Sequence, residues 1–383
     1  MLLSEVLLIT FILLFLAMIV ASLCRYIAIP YTVLLVILGL LINLSTPFIP
    51  ANVSVSQFHL THELVLFVFL PALIFESALS IDARSLLNNV FPILVLAIPG
   101  MVLSMILVGI GLWNVLEINL AVALLFGALI SATDPVAVIA LFKELGVPRR
   151  LLILVEGESL FNDATAIVLF NILLGFVLAS NFSIQAVIPI IPEFVRVFCG
   201  GILVGGLISL LISELMVRTY HGNNSIPMIF TMCLAYFSFI VAEHGFQVSG
   251  VMSVLTAAIC LNMSGLVRLS NDTSHTLHNT WEFFVLICNS LLFILIGLSV
   301  DMMQLLSQWQ PVLFAVIAVT LARAVSVYFF VPVATRVFNL PAISYGERHV
   351  MWWGGLKGGL AIAMVLSIPD SLMEKQLLIE LTV

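Results

Sequence analysis

Long apolar stretches alternate with short polar breaks along almost the whole chain. The breaks divide the sequence into thirteen segments, at about 4–24, 30–46, 62–80, 89–113, 119–142, 150–178, 190–217, 225–243, 247–263, 279–301, 310–335, 346–368 and 373–383. Twelve reach the length a helix needs to cross a bilayer, roughly 17–25 residues. The last is shorter and is expected to be a helix cut by the end of the sequence. The first stretch, from Ser4 to Tyr26, lacks a basic start. It is expected to be a retained span and not a cleaved leader.

Composition agrees with this pattern. Of 383 residues, 62% are hydrophobic and only 9% charged, against about 25% charged in soluble domains. The expected fold class is therefore an all-α polytopic membrane protein of about 13 transmembrane helices. No basic patch for nucleic acid is present. Cys24, Cys199, Cys233, Cys260 and Cys288 are isolated, with no CxxC pair, and are expected to pack in the core without disulfides or metal.

Basic residues give a direction. With the N-terminus outside, Arg25, Arg84, Lys143, Arg149, Arg150, Arg218, Arg268, Arg336 and Arg348 all fall on cytoplasmic connections, and only Lys375 falls on an outer one. Cytoplasmic loops are the lysine- and arginine-rich ones. Arg196 lies near an outer helix end with Glu193 one turn away, while Arg323 and Lys357 lie deep and need partners. His275 and His278 fall in the polar connection 264–278 and are expected to be solvated.

Three spans carry polarity that packing alone does not require. In ILVEGESLFNDATAIVLFNILL (153–174), Ser159, Asn162 and Asp163 share one helix face at spacings of three and four. That face offers hard oxygen ligands to a dehydrated cation, and Asp163 is a carboxylate whose proton competes for the same place. An interhelical hydrogen-bond network is the plainer reading, but the buried charge of Asp163 favours function. Glu158 needs a cation, and Arg323 in TLARAVSV is the expected partner, in a structural ion pair. Glu156 lies nearer the cytoplasmic end and is expected to face water.

In ALISATDPVAVIALF of span five, Pro135 disrupts the helix before it, and Thr133 is placed to cap a fresh helix after it. Residues 131–135 thus predict a break in mid-membrane, with Asp134 at the start of the second half-helix. In MWWGGLKGGLAIAM of span twelve, four glycines surround Lys357. They weaken the helix, and the lysine is placed to compensate the carbonyl end of a second break. Close helix packing through small residues explains span twelve equally well on its own. The two interruptions lie seven spans apart, so their spans run in opposite directions. That is the topology of an inverted repeat pairing spans four to six with eleven to thirteen.

These motifs together resemble the monovalent cation/proton antiporters of the NhaP/NHE family. The resemblance rests on SATDPVAVIALFKELGVP, LLILVEGESLFNDATAIVLF, VFLPALIFESAL and WGGLKGGLAIAM, and it extends over nearly the whole chain. Lysine stands at 357 where the family usually has arginine, which keeps the charge and loses the two-pronged bonding. The resemblance implies an inverted-repeat antiporter fold with spans five and twelve interrupted. It implies a core bundle at about 89–178 and 310–383 and a dimer-contacting panel at about 4–80 and 190–301. By position, Asp163 is similar to the aspartate that binds cation and proton in turn, and Asn162 to its amide partner. Thr133 and Asp134 resemble the pair at the helix crossing, with Thr133 giving a backbone oxygen. Ser159 and Glu76 resemble further ion-coordinating positions, and Glu158 with Arg323 the structural pair. Na⁺ is thus expected at Asp163, Ser159 and Thr133.

The expected activity is exchange of Na⁺ (or Li⁺) for H⁺ by alternating access, with no resident cofactor. One exchangeable charge at Asp163, beside an uncharged Asn162, implies one cation per proton. The expected setting is the plasma membrane, with lipid and a second copy as partners. K⁺/H⁺ exchange stays open, because oxygen ligands in a sequence do not report cavity size. A channel would need a continuous pore or a filter repeat, which the sequence lacks. An intramembrane enzyme is disfavoured, since His244, His275 and His278 are expected in loops and no HExxH or GxSxG occurs.

Overall fold

The computed structural model describes residues 3–24, 30–45, 62–133, 139, 142, 146–179, 189–220, 225–264, 269–300, 308–338, 340–355, 359–369 and 371–382. All regular elements among the described residues are helical. α1 is Leu3–Cys24, α2 Tyr31–Ser45, α3 residues 62–80, α4 Ala83–Asn88 and α5 Val90–Leu116. α6 is Leu120–Ser131, α7 Arg149–Leu178, α8 Ile190–Thr219, α9 Ser225–Phe246 and α10 Gly250–Ser264. α11 is Asn271–Ser299, α12 Trp309–Val337, α13 Tyr345–Trp353, α14 Gly359–Leu366 and α15 Lys375–Thr382. Seven of these (α1, α5, α7, α8, α9, α11 and α12) are long and apolar enough to cross a membrane, and shorter apolar helices lie between them.

Two differences from the apolar pattern have local causes. α4 forms in the connection after α3 because Asp82 caps it, accepting the backbone N–H of Arg84 at 3.2 Å and of Ser85 at 3.3 Å. α11 starts at Asn271, about two turns before the apolar run. Ser270 caps it by accepting the Thr273 N–H at 3.2 Å, so a polar helical extension precedes the span. His275 and His278 therefore sit on a helix and not in a loop. His244 is also helical, in the last turn of α9, with its ring stacked on Phe67 at 5.2 Å between centroids.

Wide π turns interrupt α3 at Val65–Phe69, α5 at Leu96–Gly100 and α9 at Val241–Phe246. In α3 and α5 the cause is proline. Pro71 follows the first wide turn and Pro99 lies inside the second, and each removes one N–H and pushes against the carbonyl a turn earlier.

The bundle is built small inside and large outside. α8 buries Gly201, Gly205, Ser209 and Ser213, while Leu203, Leu207 and Leu211 are exposed. A Cβ at Gly205 would overlap the Ser253 carbonyl of α10. α2 and α11 meet in the same manner at Gly39 and Gly297. Close backbone approach with apolar side chains turned outward suits a lipid solvent. The same inversion corrects the expectation for the thiols. Only Cys288 is buried; Cys24 and Cys260 are half-buried, and Cys199 and Cys233 are exposed.

Candidate functional site

α6 is twelve residues long, roughly 18 Å at 1.5 Å per residue, too short for a bilayer core of about 30 Å. Asn119 starts it, accepting the Ala121 N–H at 2.9 Å. It stops at Ser131, and Ala132 is extended at φ −55°, ψ 139°. Thr133 follows, only 4% exposed. The chain thus leaves the helix inside the protein, where every backbone polar group needs a partner.

α7 supplies those partners. Ser159 donates its hydroxyl to the Thr133 carbonyl at 2.5 Å. Asn162 donates its amide nitrogen to the Ser131 carbonyl at 3.0 Å and to the Thr133 hydroxyl at 3.1 Å. A carbonyl only accepts, so Ser131 fixes which way the Asn162 amide faces. With both N–H groups engaged, Asn162 Oδ1 is left buried and accepts no hydrogen bond among the described residues. Ser159 and Asn162 are 4% and 2% exposed. Asp163 follows on the same helix, half-buried.

Four of the expected residues, Thr133, Ser159, Asn162 and Asp163, therefore gather at the end of α6 and the middle of α7. They present hydroxyl, amide and carboxylate oxygens with one formal charge. No group of three or more His, Cys, Asp or Glu side chains with metal-binding geometry occurs among the described residues. Such a site suits a singly charged ion held weakly enough to leave, more than a tightly caged divalent one.

The neighbouring face of α7 carries Glu158. Arg323 of α12 binds it with both terminal nitrogens, at 2.6 and 2.9 Å. The side chains are 4% and 13% exposed, so this is a buried, two-pronged pair. Arg323 also meets the second interruption. α13 stops at Trp353 and α14 begins at Gly359. A Cβ at Gly355, in the gap, would lie 2.8 Å from Arg323 Nε. Only glycine lets the backbone come so close to the guanidinium.

Two expected residues, Asp134 and Lys357, lie outside the described residues. Glu76 lies on α3, half-buried, with Glu282 of α11 as its charged neighbour. Nothing described brings it into contact with Ser159 or Thr133. Glu156 is half-buried. Arg196 is held by Glu193 through two bonds, at 2.9 and 2.6 Å.

Some polar residues escape sequence reasoning. Asn262 of α10 donates to the carbonyls of Leu79 and Ile81, at 2.9 and 3.0 Å, and fixes the end of α3. Glu243 accepts the Gly250 N–H at 3.0 Å and caps α10. Ser326 donates to the Gly100 carbonyl at 2.8 Å and joins α12 to the wide turn of α5. The only signal in the sequence is a lone polar residue in an apolar run; its partner is distant.

The chain is similar to known proteins. The family described as sodium/hydrogen exchanger, transmembrane, matches residues 11–383. The chain is 38% identical over 357 residues to Na⁺/H⁺ antiporter ApNhaP of Aphanothece halophytica, covering 92% of this chain and 65% of that protein. It is 35% identical to Na⁺/H⁺ antiporter NhaG of Bacillus atrophaeus, covering 91% and 65%, and 32% identical to Na⁺/H⁺ antiporter NhaH of Halobacillus aidingensis, covering 89% and 83%. The chain thus spans about two thirds of the length of the first two. Its fold matches the sodium proton antiporter MjNhaP1 from Methanocaldococcus jannaschii with a TM-score of 0.76 at 20% identity, over 99% of this chain and 92% of that one.

Proposed function

The chain belongs to the sodium/hydrogen exchanger family, an integral membrane family of transporters and not of enzymes, and from that premise we propose that it exchanges Na⁺ (or Li⁺) for H⁺ across a membrane. The observation that carries this reading is the oxygen-lined cradle where α6 ends against α7. Asp163 binds the cation or the proton, never both. Ser159, the free Oδ1 of Asn162 and the second lone pair of the Thr133 carbonyl complete the cation's shell. Either ligand neutralises Asp163, and only the neutralised site crosses the apolar barrier cheaply. Asn162 contributes a dipole but no titrating charge, and Arg323 keeps Glu158 ionised in both states. One exchangeable charge then gives one cation per proton. Asp134 and Lys357 belong to the same proposal, at the two helix interruptions, and Glu76 is a further coordinating position.

The packing supports a division of labour. α5, α6, α7 and α12 to α15 hold both interruptions and form the moving bundle. α1 to α3 and α8 to α11, locked together at Gly39–Gly297 and Gly205–Ser253, form the static panel and the contact with a second copy. The proposed setting is the plasma membrane with the N-terminus outside.

Reconstituted vesicles with an imposed proton gradient test the reading. Na⁺ and Li⁺ should dissipate the gradient, K⁺ should not, and a clamped membrane voltage should leave the reversal point unchanged. Dissipation by K⁺ alone favours the potassium alternative. A reversal point that follows voltage contradicts one-for-one exchange.

A further inference from the structure

The two arginines at the junction of α12 and α13 have no part in the ion site. They line a cavity of about 510 Å³ with Val331, Pro332, Thr335, Leu340 and Ile343, within the usual range of ligand pockets, about 300–1,000 Å³. Arg336 stands in the last turn of α12, exposed. Arg348 lies in the first turns of α13, its guanidinium 4.2 Å over the Tyr345 ring and its Nε donating to the Ser344 carbonyl at 3.4 Å. Among the described residues neither makes an ion pair, and no carboxylate lines the cavity. Glu347, next to Arg348 in sequence, accepts the Ser344 N–H at 2.7 Å in the capping box of α13.

The surroundings indicate what fills it. Val331 and Met351 belong to one apolar cluster with Leu96, Leu151 and Val155. The cavity therefore opens on the same face of the bundle as the start of α7, where Arg149 and Arg150 stand. Beside it, Val333, Val337, Tyr345 and Trp353 are exposed, as side chains at the edge of a bilayer are. Arg336 stands one residue from the end of α12, a helix long and apolar enough to cross a membrane, and a span of that length brings its end to headgroup level. Basic pockets between transmembrane helices on the arginine-rich side bind anionic headgroups, and arginine matches phosphate with two parallel bonds.

We propose that this cavity binds the phosphate of an anionic glycerophospholipid, held between Arg336 and Arg348, with an acyl chain along Val331, Pro332 and Ile343. The lipid joins the end of α12 to the start of α13. Arg323 lies on α12 and Gly355 just beyond the end of α13, so a bound lipid steadies the second interruption from the membrane surface. This inference does not depend on which ion is exchanged.

Purified protein offered equal phosphatidylglycerol and phosphatidylcholine, then examined by native mass spectrometry, tests it. Wild type should retain phosphatidylglycerol preferentially. The preference should fall about fivefold for each arginine in Arg336→Gln and Arg348→Gln. Arg218→Gln, at another helix end already paired with Glu214, should leave it unchanged. The double lysine variant keeps the charge and should retain part of the preference; it serves as the folded reference if the glutamine variants do not assemble. Equal retention of both lipids by wild type overturns the proposal. So does an unchanged preference in the glutamine variants, or displacement by inorganic phosphate at the concentration of the lipid, which would mark a free-anion site.

Discussion

Arg323 joins the middle of α12 to the middle of α7 through Glu158, and at that depth the pair holds the bundle together more than it stabilises it. Two ions taken from water lose solvation that their attraction barely returns, but one left alone costs far more. Glu158→Ala should therefore destabilise by about 3–5 kcal/mol. Replacing Glu158 and Arg323 together with apolar residues of similar size should cost less. Folded yield on gel filtration and thermal denaturation in detergent measure both. A double-variant loss equal to the sum of the two single losses would mean that the pair is not coupled. At this scale the sequence was informative where a helix period set the geometry. Ser159, Asn162 and Asp163 share a face by spacing alone. It was silent where partners are distant carbonyls, as for Asn262 and Ser326, because no local rule relates an amide in α10 to the end of α3. The geometry also refines Thr133. Its carbonyl, expected to face the ion, already accepts Ser159, so one lone pair is left.

Elements meet here through glycine. A Cβ at Gly297 would fall 2.2 Å from the Val36 carbonyl, and one at Gly39 2.2 Å from the Ile294 carbonyl. Backbone cannot give way as a side-chain tip can, so Gly297→Leu should drive α2 from α11 and cost about 1–3 kcal/mol or more. Gly175 has nothing within 4 Å of its virtual Cβ. Gly175→Ala should be neutral or stabilise by about 0.4–1 kcal/mol. Melting temperatures of the two variants in one detergent separate these outcomes. A second element prediction concerns α4. The Ser85 hydroxyl, followed by the Ser85 N–H and then Arg149, holds the Asp82 carboxyl below the ordinary aspartate range. A lowered folded pKa means stabilisation that is complete above the unfolded value, about 3.9, and is lost as pH falls through the folded one. Asp82→Ala should cost about 1 kcal/mol at neutral pH, and the difference from wild type should vanish in strong acid. Chemical denaturation at both pH values checks it. The end of α6 was legible because a proline disfavours helix in the residues before it, whereas the fresh helix expected after Thr133 falls on residues outside the described ones. The early start of α11 was not, since hydropathy registers the membrane and not the helix that extends beyond it.

At the scale of the molecule, the chain reads as a protein turned to suit lipid: glycine and serine at helix contacts, leucine and phenylalanine outside, and its few buried charges gathered around two interrupted helices. The class of fold was legible from apolar segments alone, because a bilayer imposes one length and one hydrogen-bonding rule on every span. What hydropathy could not supply was the arrangement in depth, in which α7 meets both interruptions, one through Ser159 and Asn162 and the other through Glu158 and Arg323. On the proposed function, Asp163 is the charge that changes during exchange. Sodium uptake into proteoliposomes driven by an outward proton gradient tests this most directly, in wild type and in Asp163→Asn protein of matched folding and orientation. The account predicts gradient-driven uptake in wild type and none in the variant. Uptake retained in Asp163→Asn would contradict it.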